Sequence, residues 1–341
     1  MANSLSTLLE KKKILLADGA TGTNYFNMGL MSGDSPELWN VEAPEKVALL
    51  HRQFVEAGAD VILTNTFGCT RNRLKLHNAQ DRVFELNKAA ADIAFGVAKE
   101  ADHEVVVVGS VGPTGELFEP IGALTMETAI QSFAEQMEGL KAGGVDVAWI
   151  ETMSAREEIE AATAAARQVG LDYVFTASFD TAGKTMMGVS PAELGSFAAT
   201  MDPHPIAVGA NCGVGASDLL SSVLDITSAK PVCAVVAKAN CGVPRVSGDK
   251  VIYTGTPELM GDFVRLAINS GAKIIGGCCG TSPDHLAAMR VALDGYLANP
   301  SELNRPDLAK IISTTGELVN QVAAAPGTTP KRERRGRRRA S

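Results

Sequence analysis

No apolar run in this chain reaches the roughly 18 residues that a membrane-spanning helix needs. Its opening residues, Met1-Ala2-Asn3-Ser4-Leu5, lack the basic-then-apolar order of a secretory leader. A cytoplasmic location is therefore expected. Histidine is scarce: His51, His77, His103, His204 and His285 are scattered, with none of the paired spacing of a histidine metal site. Neither the G-x-G-x-x-G fingerprint nor the P-loop spacing occurs, which removes the two commonest phosphate-binding loops. Aromatic residues are few. Four Tyr and two Trp leave little from which to build a cage for a quaternary ammonium. Six cysteines are present, and without a leader they are expected as reduced thiols, free for metal or catalysis.

The 341 residues are enough for one large core with a tail, and 21% charged residues are ordinary for a globular protein. The net charge of −8 conceals an asymmetry. Lys331 to Ser341 carries a net +6, which leaves −14 for residues 1–330. An acidic body does not suit nucleic acid. The basic tail suits RNA, an anionic surface or an acidic partner, or else simply solvation.

Short β-branched runs alternate with helical spacing along most of the chain. Strands are expected over 13–18, 60–64, 104–108, 145–150, 173–177, 206–210, 232–237 and 273–277, each followed by a helix. Gly58, Gly144, Gly170 and Gly271 each stop a helix just before a strand. Eight such units in under about 300 residues fit an α/β fold of the (β/α)8 TIM-barrel type better than an open sheet. The barrel is expected over 1–297, an extension with helical spacing from Leu308 over 298–322, and a disordered Arg-rich tail over 323–341.

Chemistry in such a barrel sits at the carboxyl ends of the strands. Those ends carry Asp18, Asn65 and Thr66, Ser110, Glu151, Cys212, Asn240, and the pair Cys278-Cys279. The pair lies on a glycine-flanked turn before Ser282-Pro283, an N-cap followed by proline at the first helical position. Such a pair either fills a barrel end as two small buried residues or converges on a soft metal, zinc being the usual one. With Cys212 the rim has three thiols, which describes a zinc site with one open position. Asp18 and Glu151 suit a cationic group on a thiol substrate, or else helix N-terminal charge stabilisation.

Six segments together carry more information than any of them alone: Asp18-Gly19-Ala20-Thr21-Gly22-Thr23, Thr64-Asn65-Thr66-Phe67, Gly112-Pro113-Thr114-Gly115, Glu151-Thr152, Asn211-Cys212 and Gly276-Gly277-Cys278-Cys279-Gly280. They resemble the homocysteine-binding barrel of the homocysteine S-methyltransferases over roughly residues 10–295. That family includes cobalamin-dependent methionine synthase, betaine–homocysteine methyltransferase and S-methylmethionine-dependent enzymes. The resemblance implies Zn2+ on Cys212, Cys278 and Cys279, with homocysteine sulfur completing the shell. It further implies Asp18 and Glu151 on the substrate's amino group, and a homocysteine contact surface that takes in Asn65, Thr66 and Ser110.

Gly68 and Thr152 stand where the betaine branch places tyrosines. Those positions, with Asn240-Cys241-Gly242-Val243-Pro244, look more like the homocysteine module of cobalamin-dependent methionine synthase. In that branch the asparagine matching Asn240 can take zinc's fourth position. Cys241 departs from the small residue expected there, and either fills space or lends a fourth sulfur. One barrel accounts for the sequence, so methylcobalamin is expected on a separate corrinoid-binding protein, in a split methionine synthase. Betaine or S-methylmethionine as donor, and a non-catalytic barrel with a structural zinc, are the other expectations.

Overall fold

A computed structural model of the chain describes residues 4–247, 250–299 and 304–319. The expected tail over 323–341 and the end of the expected Leu308–Val322 helix lie outside the described residues. Within them that helix runs Leu308–Thr315.

Eight parallel strands make the barrel. In chain order they are β1 (Leu15–Leu16), β2 (Val61–Leu63), β3 (Val106–Val111), β4 (Val147–Met153), β5 (Asp172–Ala177), β6 (Ala207–Cys212) and β7 (Ala234–Ala239). After an antiparallel hairpin, β8 (Pro244–Ser247) and β9 (Lys250–Tyr253), comes the last barrel strand, β10 (Ile274–Gly277). The spatial order is β1-β10-β7-β6-β5-β4-β3-β2. A parallel bridge between Ala17 and Val61 joins the two ends and closes the ring.

The alternation within each strand explains the two packed layers. Leu15, Ala17, Val61, Leu63, Val108, Trp149, Val174, Val236 and Ile274 form the inner cluster. Leu5 and Leu8, from a helix over Ser4–Lys12, join it and plug its amino-terminal end. Their neighbours Leu16, Ile62, Val107, Ala148, Phe175, Val208, Ala237 and Ile275 belong to the outer cluster, against the helices. A helix follows each barrel strand as expected, Pro257–Asn269 among them, and the strands agree with the expected ranges to within about two residues at most ends.

The closing seam is thin. Only two residues make β1, and side chains supply part of its ladder: Leu16 N donates to Asp60 Oδ2 at 2.8 Å and Leu63 N to Asp18 Oδ2 at 2.8 Å. Backbone bonds from Asp18 N to Val61 O (3.0 Å) and Asp60 N to Leu16 O (2.7 Å) complete it. Asp60 also receives Lys12 and Arg290.

The helix Pro44–Glu56 buries Val47, Leu50, Phe54 and Val55, and with them His51, whose two ring nitrogens have no partner among the described residues. Burial pushes this imidazole down to about 4, against a smaller opposing pull from Asp18. The folded protein thus holds His51 neutral while the unfolded chain takes up a proton near pH 6.5. Stability present above that pH is lost as pH falls toward 4, by about 3 kcal/mol for the full span. Urea midpoints of metal-free protein at pH 7 and 4.5 should therefore fall more steeply for the native chain than for His51→Leu. Parallel slopes would remove His51 as the cause.

Candidate metal and thiol site

Cys212 ends β6, and Cys278 and Cys279 follow β10, with β7 between them. Three local features bring their sulfurs together. Cys212 has φ +62°, a left-handed conformation that costs a non-glycine residue about 1–2 kcal/mol. The adjacent Asn211 anchors that turn, because its Oδ1 accepts from Thr152 N (2.8 Å) and Thr176 Oγ1 (2.6 Å) and its Nδ2 donates to Thr152 Oγ1 (2.7 Å). The Cys278-Cys279 turn is fixed by Cys278 N donating to Ala239 O (2.7 Å) and by Cys279 O accepting from Cys241 N (2.9 Å).

The result is a cluster in which the Sγ atoms of Cys212, Cys278 and Cys279 all lie within 4.8 Å of one another. A tetrahedral zinc with sulfurs at about 2.3 Å requires them about 3.8 Å apart, a spacing that falls inside this limit. Asn211 Nδ2 lies 3.8 Å from Cys278 Sγ, and Asn240 Nδ2 lies 3.6 Å from Cys212 Sγ while donating to Gly213 O at 2.6 Å. Among the described residues the buried Asn240 Oδ1 has no partner, as a spare oxygen donor beside three sulfurs would not. The residues fit a zinc ion. Cys241 is fully buried against Gly255 and is not part of the cluster, so it fills space.

Burial and the neighbouring thiols act together on all three sulfurs. A hydrogen bond with Cys278 favours the Cys212 thiolate, yet the bond with Cys279 and burial outweigh it and push Cys212 up to about 12. Cys279 is likewise pushed up to about 12: its bond with Cys212 opposes the rise, and Cys278 with burial overcomes it. The bond to Cys212 and burial raise Cys278 in the same direction.

The carboxylates lie deeper. Glu151, near the end of β4, is 8% exposed, and its Oε1 accepts from Ser110 Oγ at 2.5 Å. Burial raises its carboxyl, with Lys238 and Ser110 opposing. Asp18 is 1% exposed, with Oδ1 taken by Lys238 Nζ at 2.8 Å and Oδ2 by Leu63 N. Burial disfavours the Lys238 ammonium, but Asp18 and Glu151 outweigh it and hold its pKa above the ordinary lysine value.

Asn65 and Thr66 are at the β2 end as expected, but their polar atoms serve the scaffold. Asn65 Nδ2 donates to Pro36 O (2.8 Å) and Asn40 Oδ1 (3.0 Å), and Thr66 Oγ1 donates to Ser110 O (2.7 Å). Trp39 packs on Tyr25 at 5.3 Å between ring centroids, with Lys46 over its ring.

Sequence reasoning missed three residues here. Lys238 sits inside an otherwise apolar strand, and that interruption was its signal. Asn211 carried none beyond its place beside Cys212. Tyr253, at the end of the hairpin, brings its hydroxyl within hydrogen-bond reach of Cys279 and lays its ring across Gly280. The sequence does hold a hairpin signal, Gly248-Asp249 between two β-prone runs.

A (β/α)8 barrel with three thiols converging at its carboxyl rim is an arrangement able to hold a metal ion. The homocysteine S-methyltransferase family model matches residues 15–293, and the chain belongs to that family. It is 28% identical over 306 residues to a methionine synthase of Mycobacterium leprae, covering 85% of this chain and 25% of that protein. A methionine synthase of Mycobacterium tuberculosis is 27% identical over 299 residues, covering 83% and 25%. The chain thus spans about a quarter of the length of these relatives. Among solved structures, the homocysteine methyltransferase MmuM from Escherichia coli shares the fold. Its oxidized form superposes with a TM-score of 0.72 at 23% identity, covering 85% of this chain and 99% of that one, and its metallated form with 0.71.

Proposed function

We propose that this protein is a zinc-dependent homocysteine S-methyltransferase, the homocysteine-activating component of a cobalamin-dependent methionine synthase. The observation that carries the reading is the meeting of three sulfurs from two strand ends separated by β7. Cys212, Cys278 and Cys279 would hold the zinc, with Asn240 beside the open position. Zinc bound there supplies a Lewis acid that strips the proton from an incoming thiol and leaves the sulfur nucleophilic at neutral pH. Glu151, steadied by Ser110, receives the substrate ammonium. In the transfer the donor–methyl bond breaks as the sulfur–methyl bond forms, and the thiol proton goes to solvent.

A methyl donor bound to a corrinoid-carrying partner is favoured over betaine by what surrounds Gly68. Gly68 has no ring to offer a quaternary ammonium, and its N donates to Glu37 Oε1 at 2.7 Å, which puts a carboxylate where the betaine branch has an aromatic wall. Among the described residues no helix is long and apolar enough to cross a membrane, which accords with work in the cytoplasm.

The test is methionine formation by zinc-loaded protein given homocysteine with methylcobalamin, betaine or S-methylmethionine. Turnover with methylcobalamin alone is expected. Efficient turnover with either of the other donors would overturn the corrinoid assignment. Zinc that stays bound while homocysteine releases no proton would favour a closed structural site instead.

A further inference from the structure

Residues 304–319 lie beyond the span that the family model matches and run along the outside of one barrel helix, Ala216–Ser228, with Ile311, Thr315 and Leu318 buried. Near the end of that helix, Arg305 donates to Leu224 O at 2.5 Å and to Ser228 Oγ at 2.7 Å. At its start, Ser217 Oγ donates to Gly316 O at 2.7 Å and meets Thr315 Oγ1 at 3.1 Å, while Val319 N donates to Asp218 Oδ2 at 2.9 Å. The segment therefore climbs antiparallel to the helix and ends at the carboxyl rim, a few residues past Cys212. That first turn is one support of the thiol cluster. Cys212 has a left-handed backbone, which persists only while its surroundings over-determine it. On one side Asn211 ties it to β4 and β5. On the other, Gly213 and Gly215, at φ +74° and +142°, lead into the helix with no side chain to stiffen the link. Asn240 braces Gly213 O, but a cavity of about 10 Å³ bordered by Cys212, Val214, Asp218 and Phe179 leaves the turn loosely packed.

We propose that residues 304–319 are a strap that positions Cys212: by pinning Ser217 and Asp218 they hold the helix Ala216–Ser228 where the Cys212 sulfur stays with those of Cys278 and Cys279. Ser217 and Asp218 are positioning residues, since neither belongs to the thiol cluster. The inference rests on the reading above that the three sulfurs hold zinc. Cys278 and Cys279 do not depend on the strap, because Ala239 O and Cys241 N fix their turn. Unseating the strap thus disturbs one sulfur of three, and the metal leaves by losing Cys212 first.

The experiment mixes the zinc-loaded full chain with a coloured chelator and iodoacetamide. Absorbance follows zinc release, and mass spectrometry follows the labelling of each cysteine. Ile311→Asp unseats the strap while leaving every barrel residue in place. It should speed zinc release and Cys212 labelling by about tenfold or more, as expected when a partner behind a metal ligand is lost. Cys69, fully buried among Leu74, Val83 and Leu86, should label at the native rate. Because Ile311→Asp can also weaken the fold, Asp218 is varied beside it. Asp218→Ala removes the acceptor of Val319 N and should speed release in the same direction. Asp218→Asn keeps an oxygen there and should restore most of the native rate; both variants lose the same charge at the helix start, so the pair isolates the hydrogen bond. Native rates in Ile311→Asp and Asp218→Ala overturn the proposal. So does Cys69 labelling that rises in step with Cys212, which would make the strap a general brace. If the chain takes up no zinc, the metal reading fails by itself, and labelling of Cys212 against Cys69 in the same variants still decides the strap.

Discussion

Cys212→Ser is expected to leave the protein folded and without zinc. Methyl transfer should fall by more than the roughly 10–100-fold typical when an outer-shell partner of a metal is removed. The three sulfurs are the only His, Cys, Asp or Glu group found to converge on one point among the described residues, so no other donor there replaces the missing thiolate. A serine oxygen is a poorer match to a soft ion and stays protonated where a thiol would not. Two companions bracket the result. Asn211→Ala removes the 3.8 Å contact to Cys278 and the tie between β4 and β6, and belongs in the 10–100-fold range. Cys241→Ser lies outside the cluster and should retain one zinc per chain. Metal content by mass spectrometry after competition with a chelator reads all three. A Cys212→Ser protein that keeps zinc with native affinity would end the metal assignment.

Gly280→Ala should cost about 3 kcal/mol and loosen the metal, although residue 280 offers no ligand atom. Two independent penalties meet there. The backbone has φ +81°, which costs a residue with a Cβ about 1–2 kcal/mol. That Cβ would also fall well inside contact distance of the Tyr253 ring, at its rigid base rather than at a flexible tip. Such overpacking typically adds about 1–3 kcal/mol, and relief requires the turn bearing Cys279 to move. A lowered thermal midpoint together with weaker zinc retention is the expected pair of results. Adding Tyr253→Ala separates the causes: stability should recover by the steric part only, the left-handed strain remaining. Native stability and native zinc affinity in Gly280→Ala would show that the turn adapts freely.

Much of the architecture was legible because local signals agreed. Glycines that end helices, short β-branched strands and N-caps such as Ser282 all marked the same repeating unit, and the three cysteines fell at its strand ends. The boundaries were less so. The strand expected over 206–210 runs on to Cys212, since its ladder with β7 continues through Cys212 opposite Ala239. Apolar patterning cannot register backbone pairing at a polar rim. Asp18 shows a different limit. Its place at a strand end pointed to a substrate contact, and nothing in the sequence announced that Lys238, 220 residues away in the chain, would bind its Oδ1. His285, unpaired in sequence, caps the start of the helix Pro283–Ala298 by hydrogen-bonding Ser282 Oγ at 2.7 Å. A partnership such as that of Asp18 with Lys238 exists only after the ring has closed.

That ring is riveted at one place and laced everywhere else. Between β1 and β2 carboxylate oxygens stand in for missing rungs, and one of the two rivets is Asp18. The weakest stretch of the circumference and the charged floor of the reaction chamber therefore share an atom group. Whatever displaces that carboxylate therefore acts at once on the Leu63 backbone and on the Lys238 ammonium.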